Sequence, residues 1–176
     1  MGEAFKRLLQ AARFERDAFV WMYFNDRASG DALIFVLLTS LGLLLASGFT
    51  VFGLITSSRG INFFFGSLVS SAFFWLVYAG LVYFVVTRLF QASGTYALFM
   101  RVVGFAFPTL LLLIFTARLG LGGLGGFLLG ATWFLAIVTQ GIRYESDLPI
   151  EKAAGAAGVA MVLWVVVAQI FGRSFI

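Results

Sequence analysis

Glu145, Asp147 and Glu151 are the residues whose type and spacing come closest to chemistry, since paired carboxylates can move protons or hold a hard cation. They share a short polar stretch with Arg143 and Lys152, so a solvated loop with local ion pairs explains the same pattern. Other chemistries fall away on composition. The chain has no cysteine and no histidine. That removes disulfides, zinc–thiolate sites, iron–sulfur clusters, His-ligated haem and histidine acid–base catalysis. Ser40, Ser47, Ser70 and Ser71 have no base in view. No catalytic residue, cofactor or metal site is expected.

The elements that would have to position such groups are defined by where charge is missing. No Asp, Glu, Lys or Arg interrupts the 27 residues after Asp31, the 28 after Arg59, the 24 after Arg118 or the 20 after Lys152. A fifth gap, between Arg101 and Arg118, holds 16. A helix rises about 1.5 Å per residue, so about 20 apolar residues cross a hydrocarbon core roughly 30 Å thick. Hydrophobic residues make up 61% of the chain and charged ones only 11%, where a soluble domain carries about a quarter. The fold class expected is all-α: a polytopic membrane helix bundle of five transmembrane helices plus an N-terminal amphipathic interfacial helix.

Residues 1–31 read as a cytoplasmic segment. Phe5, Leu8, Leu9 and Ala12 fall on one helical face, and Trp21 and Tyr23 suit the headgroup level. Asn25 to Asp31 reads as a turn, with Asp31 able to cap the next helix. Residues 32–172 form the membrane domain, with spans at about 32–55, 61–87, 96–117, 122–140 and 153–171. Arg101 near the start of the third span is expected to snorkel to the interface, and Pro108 to kink that span. Residues 141–152 read as a loop. The first apolar run starts too late for a cleavable signal.

Five spans place the termini on opposite sides. With the N-terminus inside, nine of the twelve basic residues lie inside, and only Arg59, Arg118 and Arg173 lie outside. That bias is the positive-inside pattern. The net charge of +4 is therefore assigned to anionic lipid and orientation rather than to nucleic acid. No acidic residue falls within a span, which argues against proton relays, ion-coupled transport and intramembrane proteolysis.

Gly122, Gly126 and Gly130 repeat at four-residue intervals, and Ala154 and Gly158 form a second small pair. Such spacing lets helices approach closely, either inside the bundle or against another subunit. The Phe63–Phe65 and Phe73–Trp75 runs read as lipid-facing or core-filling.

Residues 93–108 carry a more specific pattern: Gly94, the basic Arg101 before Val102 and Val103, Gly104 followed by the aromatic Phe105, and Pro108. This stretch resembles the central signature of the Yip family, membrane proteins first known as interactors of Rab-type GTPases. Phe105 stands where the family more often has Tyr. The resemblance covers roughly residues 30–172. It implies five transmembrane helices, a cytoplasmic N-terminus, no catalytic activity and a role in membrane organisation or trafficking. With about 30 residues and no proline ahead of the first span, the chain resembles a compact bacterial member in the cytoplasmic (inner) membrane. The function expected is that of a non-enzymatic scaffold or accessory subunit, with lipids and other membrane subunits or further copies of itself as partners. The alternatives are a small transporter or channel subunit, lined by Ser, Thr, Gln and backbone freed near Pro108, and an enzyme built on the Glu145–Glu151 loop.

Overall fold

A computed structural model describes residues 2–46, 58–112, 114 and 122–172, and within these the chain is all-α. The N-terminal segment is a helical hairpin. Helix α1 spans Gly2–Ala12 and carries an ion pair between Glu3 and Arg7 at 2.8 Å. It ends where Phe14 adopts a left-handed φ of 61°, and the Glu15 N–H then reaches back to the Gln10 carbonyl at 2.9 Å. This is a Schellman-like stop with a phenylalanine in the place glycine usually takes. Helix α2 spans Arg16–Phe24. The Asn25 side chain then accepts the Arg27 N–H at 3.0 Å, which shapes the turn into helix α3, Ala28–Ala46. The helix starts four residues earlier than expected. Asp31 therefore sits inside its first turn, favourably placed for the helix dipole, rather than at the cap.

Helix α4, Ser58–Phe84, runs on through a wide π turn at Val85–Leu89. Its apolar stretch of 30 residues from Gly60 to Leu89 is longer than one bilayer crossing needs. Helix α5 spans Tyr96–Ala106 and tightens into a 3-10 turn at Phe107–Leu111. Proline explains the change, because Pro108 has no N–H to return to Gly104. The Phe107 N–H and the Thr109 hydroxyl take up neighbouring carbonyls instead, the latter at 2.7 Å from Ala106. The third expected span thus contains a change of helix type, and its end beyond Leu112 lies largely outside the described residues.

Helix α6, Gly122–Ser146, continues past the expected end of its span because Gly141 packs against Val102 of α5 and Ile142 is buried. Only Asp147–Pro149 separate it from helix α7, Ile150–Gly172. The expected loop at 141–152 is mostly helix.

Helices α3 to α7 alternate in direction. Ser29 meets Arg101 and Gly42 meets Leu111, so α3 and α5 run the same way. Phe107 faces Phe134 while Thr95 meets Glu145, so α6 opposes α5. Tyr78 donates to the Ala157 carbonyl at 3.1 Å, and Phe74 meets Trp164 at 4.3 Å, so α7 opposes α4. Helix α5 is buried on nearly every side from Leu98 to Ala106, as expected of a central helix apolar all round. Among the described residues, three helices are long and apolar enough to cross a membrane: Ala28–Ala46, Gly60–Leu89 and Ile150–Ile170. Tyr96–Leu111 is a shorter apolar helix.

Polar groups inside the bundle join helices. Ser71 donates to Ser40 at 3.0 Å, Ser40 and Ser67 hydroxyls lie 3.3 Å apart, and the Trp75 indole donates to the Met100 carbonyl at 2.7 Å. Of the two phenylalanine-rich runs, Phe63, Phe65 and Phe73 face outward, whereas Phe74 stacks on Tyr78 beside Phe107 and Phe134.

Candidate functional site

Among the described residues Arg101 is the one basic side chain that is buried, and it ends on the N-terminal hairpin rather than in solvent. Its position on α5, one turn before Gly104, points it at the hairpin rather than at water. It donates to the Ser29 hydroxyl at 2.9 Å, the Met22 carbonyl at 2.8 Å, the Tyr23 carbonyl at 3.3 Å and the Asp26 carboxylate at 2.6 Å. Met22 and Tyr23 lie in the last turn of α2, whose final carbonyls have no helical partner. A guanidinium there satisfies them and meets the negative end of the helix dipole. Asp26 contributes less than its short distance suggests, because its side chain is 99% exposed. A covering hairpin, absent from the pattern of any single span, is the reason Arg101 ends in protein contacts rather than in solvent.

Gly104 and Phe105 complete this node. A Cβ on Gly104 would lie 2.5 Å from the Ala32 Cβ and 3.0 Å from its Cα, so the glycine sets the closeness of α3 and α5. Phe105 is fully buried between Phe35 at 5.0 Å and Trp21 at 6.0 Å. Gly94 lies in the extended stretch before α5, where a Cβ would come within 2.7 Å of the Phe99 ring. Pro108 opens the 3-10 turn.

The glycine repeats are placed differently. Gly122 and Gly126 lie in α6, but their surroundings fall outside the described residues, and Gly130 is buried. On α7 the buried face is Ala153, Ala156, Ala157 and Ala160. Ala154 is exposed, and a Cβ on Gly158 would meet nothing within 4 Å.

The three carboxylates do not converge. Glu145 ends α6, Asp147 occupies the turn with a left-handed φ of 49°, and Glu151 lies exposed in the first turn of α7. Among the described residues no cluster of three metal-ligating side chains occurs. Glu145 alone is held in place: its Oε1 accepts the Thr95 N–H at 3.1 Å and the Thr95 hydroxyl at 3.5 Å. Partial burial raises its pKa, and the Thr95 hydrogen bonds oppose that rise. It faces a cleft of about 610 Å³ between the end of α2, residues 93–95, α5 and the end of α6.

Five partners of this region carry no periodic signal: Asp26, Ser29, Thr95, Trp133 and Gly141. The Trp133 indole donates to the Ala12 carbonyl at 3.1 Å, capping α1 much as Arg101 caps α2. Gly141 receives Val102 so closely that a Cβ would collide with it.

The sequence matches the family model of the Yip1 domain over residues 4–172. No curated protein and no solved structure matches.

Proposed function

Because this chain belongs to the Yip1 domain family, membrane proteins with apolar helices and not a known enzyme family, we propose that it acts without catalysis, as a membrane scaffold or accessory subunit working through helix and lipid contacts. The observation that carries this reading is the way polar and apolar groups are distributed. The hydroxyls of Ser40, Ser71 and Tyr78, the Trp75 indole and the Arg101 guanidinium spend their hydrogen bonds on holding helices together. The outward faces of α4 and α7 expose Phe65, Val69, Val162 and Ile170, each by about half of its surface or more, and these suit lipid or a partner helix. The open track beside Ala154 and Gly158 favours close approach of a second helix.

In this reading α3 to α7 are five spans with the N-terminus inside, supported by their alternating direction and the positive-inside bias. Residues 1–31 form an interfacial hairpin on a membrane domain of residues 32–172. Gentle extraction, size measurement and mass spectrometry of co-migrating chains test the proposal. A partner or a stable oligomer supports it, and a monodisperse monomer that captures nothing overturns it.

A further inference from the structure

The cleft at the basic end of the bundle has the composition of a cation site. Its walls include Phe19, Tyr23 and Phe24 of α2, Thr95, and Tyr144 and Glu145 of α6. Its volume of about 610 Å³ lies in the range of small-ligand pockets. We propose that it binds the ammonium end of a zwitterionic phospholipid head group, with Glu145 as counter-ion and the aromatic rings as walls. The inference rests on the reading that this end of the bundle lies at the cytoplasmic headgroup level.

Three observations lead there. First, Glu145 is fixed but unpaired. Thr95 occupies Oε1, while among the described residues Oε2 accepts no hydrogen bond and no Lys or Arg nitrogen lies within 4.0 Å of the carboxylate. A held carboxylate on a cleft wall is half of an ion pair. Second, the walls are aromatic. Ring faces attract ammonium groups within about 6 Å, and combining rings with a carboxylate favours a compact cation over an anion or a neutral sugar. Arg143 does not line the cleft but lies 6.0 Å from the ring centre of Tyr144, which does, and the proposal assigns its positive charge to the phosphate of the same head group. Third, the α2 wall is greasy and open: Val20 is 40% exposed and Phe24 79%. A free amine in water would gain nothing from that surface, whereas an acyl chain would. A metal ion fits poorly, since only one carboxylate faces the cleft and hard cations need several oxygen ligands.

The test uses the full chain in maltoside micelles doped with equal amounts of phosphatidylethanolamine or phosphatidylglycerol, with retained lipid counted by native mass spectrometry. The wild type should retain the ethanolamine lipid about tenfold more than the glycerol lipid, the effect of an ion pair plus ring contacts worth about 1.4 kcal/mol together. Glu145→Gln keeps an acceptor for the Thr95 N–H and removes the charge, so the preference should fall to near parity. Phe24→Ala, at an exposed position, should lower ethanolamine-lipid retention while leaving the melting temperature unchanged. Equal retention of both lipids by the wild type overturns the proposal, as does an undiminished preference in Glu145→Gln. Displacement of the lipid by an equal concentration of free ethanolamine overturns the lipid assignment in favour of a soluble amine. Membrane-fraction recovery after alkaline washing and co-purification of partners are scored separately. A flat lipid preference with intact partner capture therefore sinks this site alone, and lost capture with preserved preference sinks the scaffold reading alone.

Discussion

Replacing Arg101 by methionine should release the N-terminal hairpin without unfolding the bundle. Methionine keeps much of the stem volume and removes all four donated hydrogen bonds. Asp26 is fully solvated, so losing its partner costs little there. The penalty lies with the Met22 and Tyr23 carbonyls, because hydrogen bonds from a charged donor contribute about 1.5–3 kcal/mol each and are not additive. Taking about 3 kcal/mol for the pair, the open fraction of the hairpin should rise by about two orders of magnitude. Hydrogen exchange of α2 amides reads this directly, and trypsin cleavage after Arg13 and Arg16 should accelerate in parallel. Exchange on α4 and α7 should hold, since the hydrogen bonds of Arg101 go to α2, Asp26 and the start of α3. Arg101→Lys should resemble the methionine variant more than the wild type, because an ammonium cannot reach four acceptors arranged around a planar fork. Asp26→Asn should stay near wild type. Unchanged α2 protection in Arg101→Met would refute the capping role, and loss of protection throughout the bundle would show that Arg101 supports the whole fold.

Gly104→Ala should destabilise the protein by about 1–3 kcal/mol in a detergent melt, since the new methyl group meets the Ala32 backbone rather than a movable side-chain tip. Gly158→Ala, made in open space, should leave the melt unchanged or raise it by up to about 1 kcal/mol through helix propensity, while weakening any oligomer that packs on this track. Glu145 gives a pH signature: its folded pKa is raised, so its protonated form is the one the fold favours, and stability from this group is present in acid and lost as pH rises through that pKa. Glu145→Gln should therefore melt above wild type at neutral pH, with the gap closing below the ordinary glutamate range; a gap independent of pH would contradict the burial argument. Single cysteines at positions 57 and 174 should react with an impermeant reagent added outside, and reaction from the inside alone would reverse the proposed topology.

Helix existence was legible because charge gaps and a 3.6-residue period are local quantities. Pro108 likewise announces its effect, since a missing N–H acts on the same helix. Boundaries were less legible. Polar Arg143 and Glu145 suggest that α6 should stop near residue 140, but Gly141 packs against Val102 of α5 and Ile142 is buried, and tertiary contact outweighs local polarity. The candidate site is non-local throughout. Arg101 and Asp26 are 75 positions apart, Trp133 and Ala12 are 121 apart, and neither pair belongs to a repeating pattern. The family signature marks the α5 half of the first node, Arg101, Gly104 and Phe105, but none of the residues on the hairpin that receive it.

That division has a physical cause. The hairpin docks with only part of its apolar surface: Phe19 and Met22 are buried, while Phe5, Leu9 and Phe24 are 56%, 47% and 79% exposed. The bundle also holds backbone: Trp133 donates to the last carbonyl of α1, and Arg101 to the last turn of α2. Helix C-termini always present unpaired carbonyls, so this part of the attachment asks nothing of the hairpin's side chains, whereas Ala11, Ala18, Phe19 and Met22 supply the buried side-chain contact. The carbonyl half of the dock leaves no side-chain signal on residues 1–31, which is why it is readable on α5 and silent on the hairpin. It also leaves the outward apolar residues available to a lipid surface. Anchoring by donors and presenting by side chains are separable functions here, and Arg101→Met and Phe24→Ala pull them apart: the first should free the hairpin with its greasy face unchanged, the second should blunt the face on a hairpin still docked.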